Sequence, residues 1–312
     1  MKITAKAWAK TNLHLGVGEA RPDGFHELLT VFQTIDLFDT VTLETIDEEI
    51  VETGSVVKRL SVTGPRGVPK DATNLAWRAV DALVARRAEQ TPLPAVTLHI
   101  DKGIPVAGGM AGGSADAAAT LRAVDAWIGP FGQETLLEVA AELGSDVPFC
   151  LLGGTMRGSG RGEQLVDMLN RGKYHWVVAV FAKGLSTPAV FKKHDEIHWH
   201  GNFEIEELSE ALLQGDYLSV GSALHNDLQI SAFSLRPELR TVLTDGIKAG
   251  AFTGIVSGSG PTLVFICENA ADARDVAESL IDGGQVLAAH TATGPASRSA
   301  RTRGAHILSI ED

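Results

Sequence analysis

Apolar and polar positions alternate along residues 3–17. They alternate again, in broken form, along 31–46, where Val31, Phe32, Ile35, Leu37, Val41 and Leu43 are the apolar members. A period of two predicts strands, and the break predicts that the second is long or bulged. Between them, Arg21-Pro22-Asp23-Gly24 has turn chemistry, because proline presets φ and glycine accepts positive φ. The period then changes to a helical one. Over 74–89, Leu75, Ala79, Val80, Leu83 and Val84 share one face, with Asn74 placed to cap the first turn. A strand is predicted over 95–100, a glycine-rich segment over 103–113, and helices over 114–128 and 134–143. Gly144 is placed to end the last of these as a left-handed cap.

Past Gly153-Gly154 and the Gly158–Gly162 turn, the pattern starts afresh. Strands are predicted over 176–181, 252–257, 262–267 and 285–292, and helices near 205–213, 236–249 and 270–282. Strands and helices mix without regular βαβ alternation, which favours an α+β fold over a doubly wound sheet. A boundary is expected between 155 and 175, giving one domain over 1–165 and another over 166–312.

The chain has 39 acidic and 27 basic residues, a net charge of −12. Such a balance argues against binding to nucleic acid or to an anionic membrane, while leaving room for a local phosphate site. Cys150 and Cys267 are too few for a disulfide framework, and no apolar run reaches signal-peptide or membrane-spanning length. A reducing, cytoplasmic setting is the expectation. His194-x-x-x-His198-x-His200 has a metal-like look but no carboxylate or cysteine partner at a recognised spacing, so a solvated turn is the better reading.

Glycine is the unusual residue, with 33 against 12 prolines. The most informative stretch runs from Pro105 through Gly108, Gly109, Gly112 and Gly113 to Ser114, with a strand before it and a helix after it. Successive bare N–H groups and a helix N-terminus can face an anion there; a plain connector is the bland alternative. A Walker A loop is excluded, because no lysine lies between Gly103 and Arg122, and the dinucleotide fingerprint Gly-x-Gly-x-x-Gly does not fit the spacing.

The segment Pro105–Ser114 resembles the ATP-loop motif of the GHMP small-molecule kinases. Two further stretches resemble that superfamily's other motifs in the expected order: Ala5–Leu13 near the start, and Gly254 to Leu263, containing Ser257-Gly258-Ser259-Gly260, near the end. Ala9-Lys10-Thr11-Asn12-Leu13, Arg21-Pro22-Asp23-Gly24-Phe25-His26, Gly144-Ser145-Asp146-Val147-Pro148-Phe149 and Asn226-Asp227-Leu228 are most similar to one branch. Its substrate is a cytidine diphosphate-linked methylerythritol.

The resemblance implies an α+β kinase of two domains, the first like the second domain of ribosomal protein S5 and the second ferredoxin-like. It implies ATP with Mg²⁺ as cofactor, metal ligands unspecified, and a small-molecule acceptor whose 2-hydroxyl is phosphorylated. Asp146 would be the base or hydroxyl-orienting carboxylate and Lys10 its charge partner; a turn carboxylate and a solvent-facing polar row are the bland readings. Pro105, Gly108, Gly109, Gly112, Gly113 and Ser114 would hold ATP, Ser114 as the helix cap, with Asn74 and Lys102 around the adenosine or serving only as cap and strand-end charge. Asn12, Phe25, His26, Thr187, Phe191, Gly258, Ser259 and Gly260 would hold the acceptor, with the two aromatics closing on the cytosine. Phe25 stands where that branch has Tyr, which keeps a stacking face and loses a hydroxyl. A homoserine- or mevalonate-kinase type is the rival within the superfamily, and a silent nucleotide-binding relative the rival outside catalysis. The basic stretch 294–304 departs from the usual tail and reads as a flexible loop or weak anion contact.

Overall fold

The computed structural model describes the chain apart from residues 23, 90, 107 and 198–200. Its first half contains β1 (Lys2–Ala20), β2 (His26–Val51), β3 (Val57–Thr63), α1 (Leu75–Ala85), β4 (Leu93–Lys102), α2 (Gly112–Ile128), α3 (Gln133–Leu143), α4 (Val147–Leu152), β5 (Thr155–Ser159) and β6 (Gln164–Asp167). The second half contains β7 (Tyr174–Val180), α5 (Thr187–Ile197), α6 (Glu206–Gln214), α7 (Tyr217–Ser222), β8 (His225–Asn226), α8 (Gln229–Leu235), α9 (Glu238–Lys248), β9 (Thr253–Val256), β10 (Leu263–Cys267), α10 (Ala270–Asp282), β11 (Ala288–Gly294) and β12 (His306–Glu311).

Two sheets result. The larger runs β12-β1-β2-β4-β3, with β5, β6 and β8 attached; the smaller is four-stranded in the order β11-β7-β10-β9. In chain order that second sheet reads fourth-first-third-second and is antiparallel, the ferredoxin-like arrangement. The fold is therefore α+β, as the mixed element order predicts.

The early half of β1 buries Ile3, Ala5, Ala7 and Ala9 on one face, while its later half is buried on both. The cause is a second cover from later in the chain: Leu15 and Val17 pack against Val190 and Leu228, and Thr11 Oγ1 meets Ser257 Oγ at 3.4 Å, while β8 pairs parallel beside β1 at His14 and Leu15. The broken pattern of β2 corresponds to register shifts against β1 between Trp8 and Ala9 and between Asn12 and His14. Ala115, Ala117, Ala118 and Ala119 are fully buried on α2, so short side chains let this helix lie against β1 and β2.

Three local expectations are corrected. Gly144 ends α3 with φ 171, an extended conformation rather than a left-handed cap, because the chain turns directly into α4. Ser114 does not cap α2: the cap is Ala111 with φ 58, and Ser114 lies inside the first turn without a capping hydrogen bond. The basic stretch 294–304 is an anchored strap. Trp8 Nε1 donates to the Thr302 carbonyl at 2.7 Å, Arg298 donates to the carbonyls of Arg171 and Gly172 at 2.6 Å each, and Arg303 forks onto Asp167 at 2.6 and 3.0 Å. It leads into β12, which pairs with β1, so the chain's last strand completes the first sheet. Among the described residues no helix is long and apolar enough to cross a membrane.

Candidate active site

Lys10 and Asn12 project from the doubly covered half of β1, where both are buried. Lys10 Nζ donates to Asn12 Oδ1 at 2.9 Å and stands 3.7 Å from Asp146 Oδ2. Asn12 is fixed in turn. Its Nδ2 donates to Thr30 Oγ1 at 2.8 Å, and that hydroxyl donates to the His14 carbonyl at 2.7 Å. A lysine this dry needs a counter-charge, and Asp146 supplies one. Asp146 precedes α4 but caps nothing with its side chain, so its carboxylate is left for the cavity, where 31% of the side chain remains exposed.

That cavity, of about 510 Å³, is lined by many of the residues singled out from the sequence, including Lys10, Asn12, Phe25, His26, Asp146, Thr187, Phe191, Gly258 and Ser259. The second sheet contributes through the turn after β9: Asn226 Nδ2 donates to the carbonyls of Val256 and Gly258 at 2.7 and 2.8 Å, and Ser259 Oγ bonds Thr187 Oγ1 at 2.9 Å. Phe25 is 51% exposed at the cavity rim, and Phe191 lies across the His26 ring with centroids 4.9 Å apart.

A neighbouring cavity of about 300 Å³ follows the glycine loop: Pro105, Gly108, Gly109, Gly112 and Gly113, with Lys102, Asp116 and Pro69. Gly109 and Ala111 line both cavities, which therefore meet at the loop. Gly109 has φ 75, and a side chain there would run into the Ser257 carbonyl oxygen, so only glycine lets the loop touch the second sheet's turn. The first N–H groups of α2, from Gly112 onward, have no intrahelical acceptor and are available to an anion.

Lys102 is already paired within the protein. Its amine is buried, bonds Asp39, and donates to Asp116 Oδ2 at 2.8 Å, while Asp39 Oδ1 accepts the N–H groups of Gly103 and Ile104, each at 2.8 Å. Burial works against the ammonium, but Asp116 and Asp39 outweigh it and hold its pKa above the ordinary lysine value. Burial likewise pushes the Asp116 carboxyl well up, Lys102 opposing, and its Oδ1 has no hydrogen-bond partner. Asn74 lines neither cavity. It caps α1, accepting from Ala76 N at 2.8 Å, and donates to the Pro69 carbonyl at 2.7 Å, so it backs the wall of the smaller cavity. Ser114 and Gly260 also lie off both cavity walls. Cys150 is buried, and its thiol is pushed up by burial and by Asp146, so it is held as an unreactive thiol. His194 is buried inside α5 rather than in a solvated turn, and the rest of its motif falls on residues 198–200, outside those described.

Sequence reasoning missed Arg161, Lys192 and Asp195, all on the wall of the larger cavity. Arg161 sits 5.2 Å over the Phe25 ring, and Asp195 accepts from His26. No local pattern announces them, because each acquires its neighbour only through the tertiary fold.

A buried lysine, a half-open carboxylate and a glycine loop at a helix start suit transfer of a phosphoryl group to an alcohol. Residues 74–154 match the GHMP kinases N terminal domain, and residues 208–285 match GHMP kinases C terminal. The chain belongs to the GHMP kinases, which are small-molecule kinases. A 4-diphosphocytidyl-2-C-methyl-D-erythritol kinase from Corynebacterium glutamicum (strain R) is 76% identical over 310 residues, covering 99% of each chain. The same kinase from Corynebacterium efficiens is 65% identical over 313 residues, covering 100% of this chain and 99% of the relative. A crystal structure of 4-(cytidine 5'-diphospho)-2C-methyl-D-erythritol kinase superposes with TM-score 0.74 at 31% identity, covering 94% of this chain and 99% of that one. Within the GHMP kinases, the chain thus belongs to the 4-diphosphocytidyl-2-C-methyl-D-erythritol kinase family.

Proposed function

We propose that the chain transfers the γ-phosphoryl group of ATP to the 2-hydroxyl of 4-diphosphocytidyl-2-C-methyl-D-erythritol, in the cytoplasm, as a step towards isoprenoid precursors. The observation carrying this reading is the Lys10–Asp146 pair, 3.7 Å apart where the acceptor cavity meets the glycine loop.

The triphosphate lies along Gly108–Gly113, held by backbone N–H groups and the α2 N-terminus. The acceptor occupies the larger cavity, its cytosine towards Phe25, His26 and Phe191 and its hydroxyl between Lys10 and Asp146. Asp146 accepts or orients the hydroxyl proton. Lys10, fixed by Asn12, offsets the negative charge that grows on the entering oxygen and the γ-phosphate. Arg161 and Lys192, on the same wall, bring positive charge towards the acceptor's diphosphate. Mg²⁺ normally binds through nucleotide phosphates and one or two protein oxygens. Among the described residues no cluster of three or more His, Cys, Asp or Glu could hold a metal unaided. The donor set fits an ion that arrives on ATP, with Asp146 the carboxylate at the junction; the ion's part is to neutralise phosphate charge.

The test is coupled ADP release with the cytidylyl substrate, homoserine and mevalonate offered separately. Turnover confined to the cytidylyl substrate is expected. Preference for homoserine or mevalonate would overturn the acceptor assignment, and no turnover with any of them would overturn the activity.

A further inference from the structure

The larger cavity contains a hydrogen-bonded histidine–carboxylate pair that the phosphoryl transfer does not use. His26 is buried, and its Nε2 is 2.7 Å from Asp195 Oδ1, a carboxylate on α5 that is itself half exposed. A carboxylate only accepts, so Nε2 carries the proton and donates. Among the described residues His26 Nδ1 has no hydrogen-bond partner and is not sealed from solvent, and His26 lines the cavity wall. Phe191, from the same helix as Asp195, lies tilted across the ring at 4.9 Å and 36°, which leaves the imidazole little freedom to flip.

We propose that Asp195 is a positioning residue that sets the base specificity of the site. By holding the proton on His26 Nε2, it presents Nδ1 to the ligand as a lone-pair acceptor beside the aromatic wall. Such an acceptor takes an N–H from the 4-amino group of a cytosine. A uracil offers a carbonyl oxygen at the same place, and two lone pairs would face each other in a partly desolvated pocket. The inference rests on the acceptor being a cytidine diphosphate conjugate, as proposed above, but it concerns the choice of base rather than the phosphoryl transfer.

The experiment pairs steady-state kinetics on the cytidylyl substrate and its uridylyl analogue with calorimetric binding of CDP and UDP. Wild type, Asp195→Ala and Asp195→Asn are compared. In Asp195→Ala the KM for the cytidylyl substrate should rise about tenfold and kcat change less than about threefold. The cytidylyl over uridylyl preference in kcat/KM should fall at least tenfold. In Asp195→Asn, whose amide oxygen can still accept from Nε2, the preference should stay within about threefold of wild type. Full discrimination in Asp195→Ala, or equal loss in Asn and Ala, would overturn the proposal. The binding arm separates the two readings. If wild type turned over neither nucleotide conjugate, the activity would be wrong, yet a CDP over UDP preference that Asp195→Ala loses and Asp195→Asn keeps would still support this role for Asp195. Equal binding of CDP and UDP by wild type would refute it.

Discussion

The two cavities that meet at Gly109 are built on opposite principles. On the acceptor side, charged side chains are brought to the wall: Lys10 is buried there, while Asp146, Arg161, Lys192 and Asp195 are left partly open. On the nucleotide side the wall is mostly glycine loop and backbone, and its one cation, Lys102, is already consumed by Asp39 and Asp116. On the proposed assignment, one side has chemistry to perform on a hydroxyl. The other has a polyphosphate to hold, which neutral N–H groups and a helix end can do without a free ammonium. Charge replacements should therefore act on turnover at one cavity and on folding at the other.

The largest effect should come from the acceptor side. Asp146→Asn keeps the shape but cannot accept a proton, and Lys10→Ala removes the cation facing it. Each should lower kcat by about 10²–10⁴-fold while leaving ATP affinity within a few-fold. Rapid-quench turnover alongside equilibrium ATP binding checks this. Near-normal turnover in either variant, or loss of ATP binding with it, would erase the division between the cavities.

Lys102→Met should instead act on stability. It strands two buried carboxylates, one of them already short of a partner at Oδ1. Breaking a buried pair in this way costs about 3–5 kcal/mol, read as a shift in the denaturant midpoint. Asp39→Asn with Lys102→Met should recover part of that loss. If Lys102→Met folded like wild type and lost only ATP affinity, Lys102 would have to be counted a ligand residue after all.

The sequence made much of this legible, unevenly. Periodicity found β1, β2 and β4 of the first sheet, all four strands of the second and most longer helices, because these bury a continuous face. It passed over α4, α5, α7 and α8, the short strands β3, β5, β6 and β8, and also β12, whose partner on β1 lies at the other end of the chain. Motif resemblance picked out Lys10, Asn12, His26, Asp146, Thr187, Phe191, Gly258 and Ser259, which share one cavity. It placed Asn74 and Lys102 beside the nucleotide, where the fold uses one as a helix cap and the other as the centre of a buried triad. Asp195 left no trace in sequence because it meets His26 across 169 positions. Motifs report residues spaced closely along the chain, and long-range electrostatics escapes them.

Two buried groups should weaken the fold at opposite ends of the pH range. His14 lies on β1 two residues past Asn12, on the wall of a separate cavity with Asn202 and His225. It donates through Nε2 to the Asn202 carbonyl at 2.9 Å, and its ring is 5.2 Å from His225. Burial holds its pKa below the ordinary 6.5; the Asn202 bond and Asp227 oppose this, and His225 reinforces it. The folded protein therefore keeps His14 neutral where the unfolded chain is protonated, so stability falls as pH drops below 6.5, on the order of 1 kcal/mol per pH unit at most. Lys102 has its pKa raised above 10.5, so its contribution is fully present below that value and is lost only as pH climbs through the folded-state value. Denaturant melts of wild type and His14→Gln between pH 5.5 and 7.5 isolate the first effect. The variant keeps a donor for the Asn202 carbonyl but cannot titrate, and its stability should lose less on acidification. Matching slopes would remove His14 from the account, while a loss on the acid side that Lys102→Met also abolished would place the titration on the nucleotide side instead.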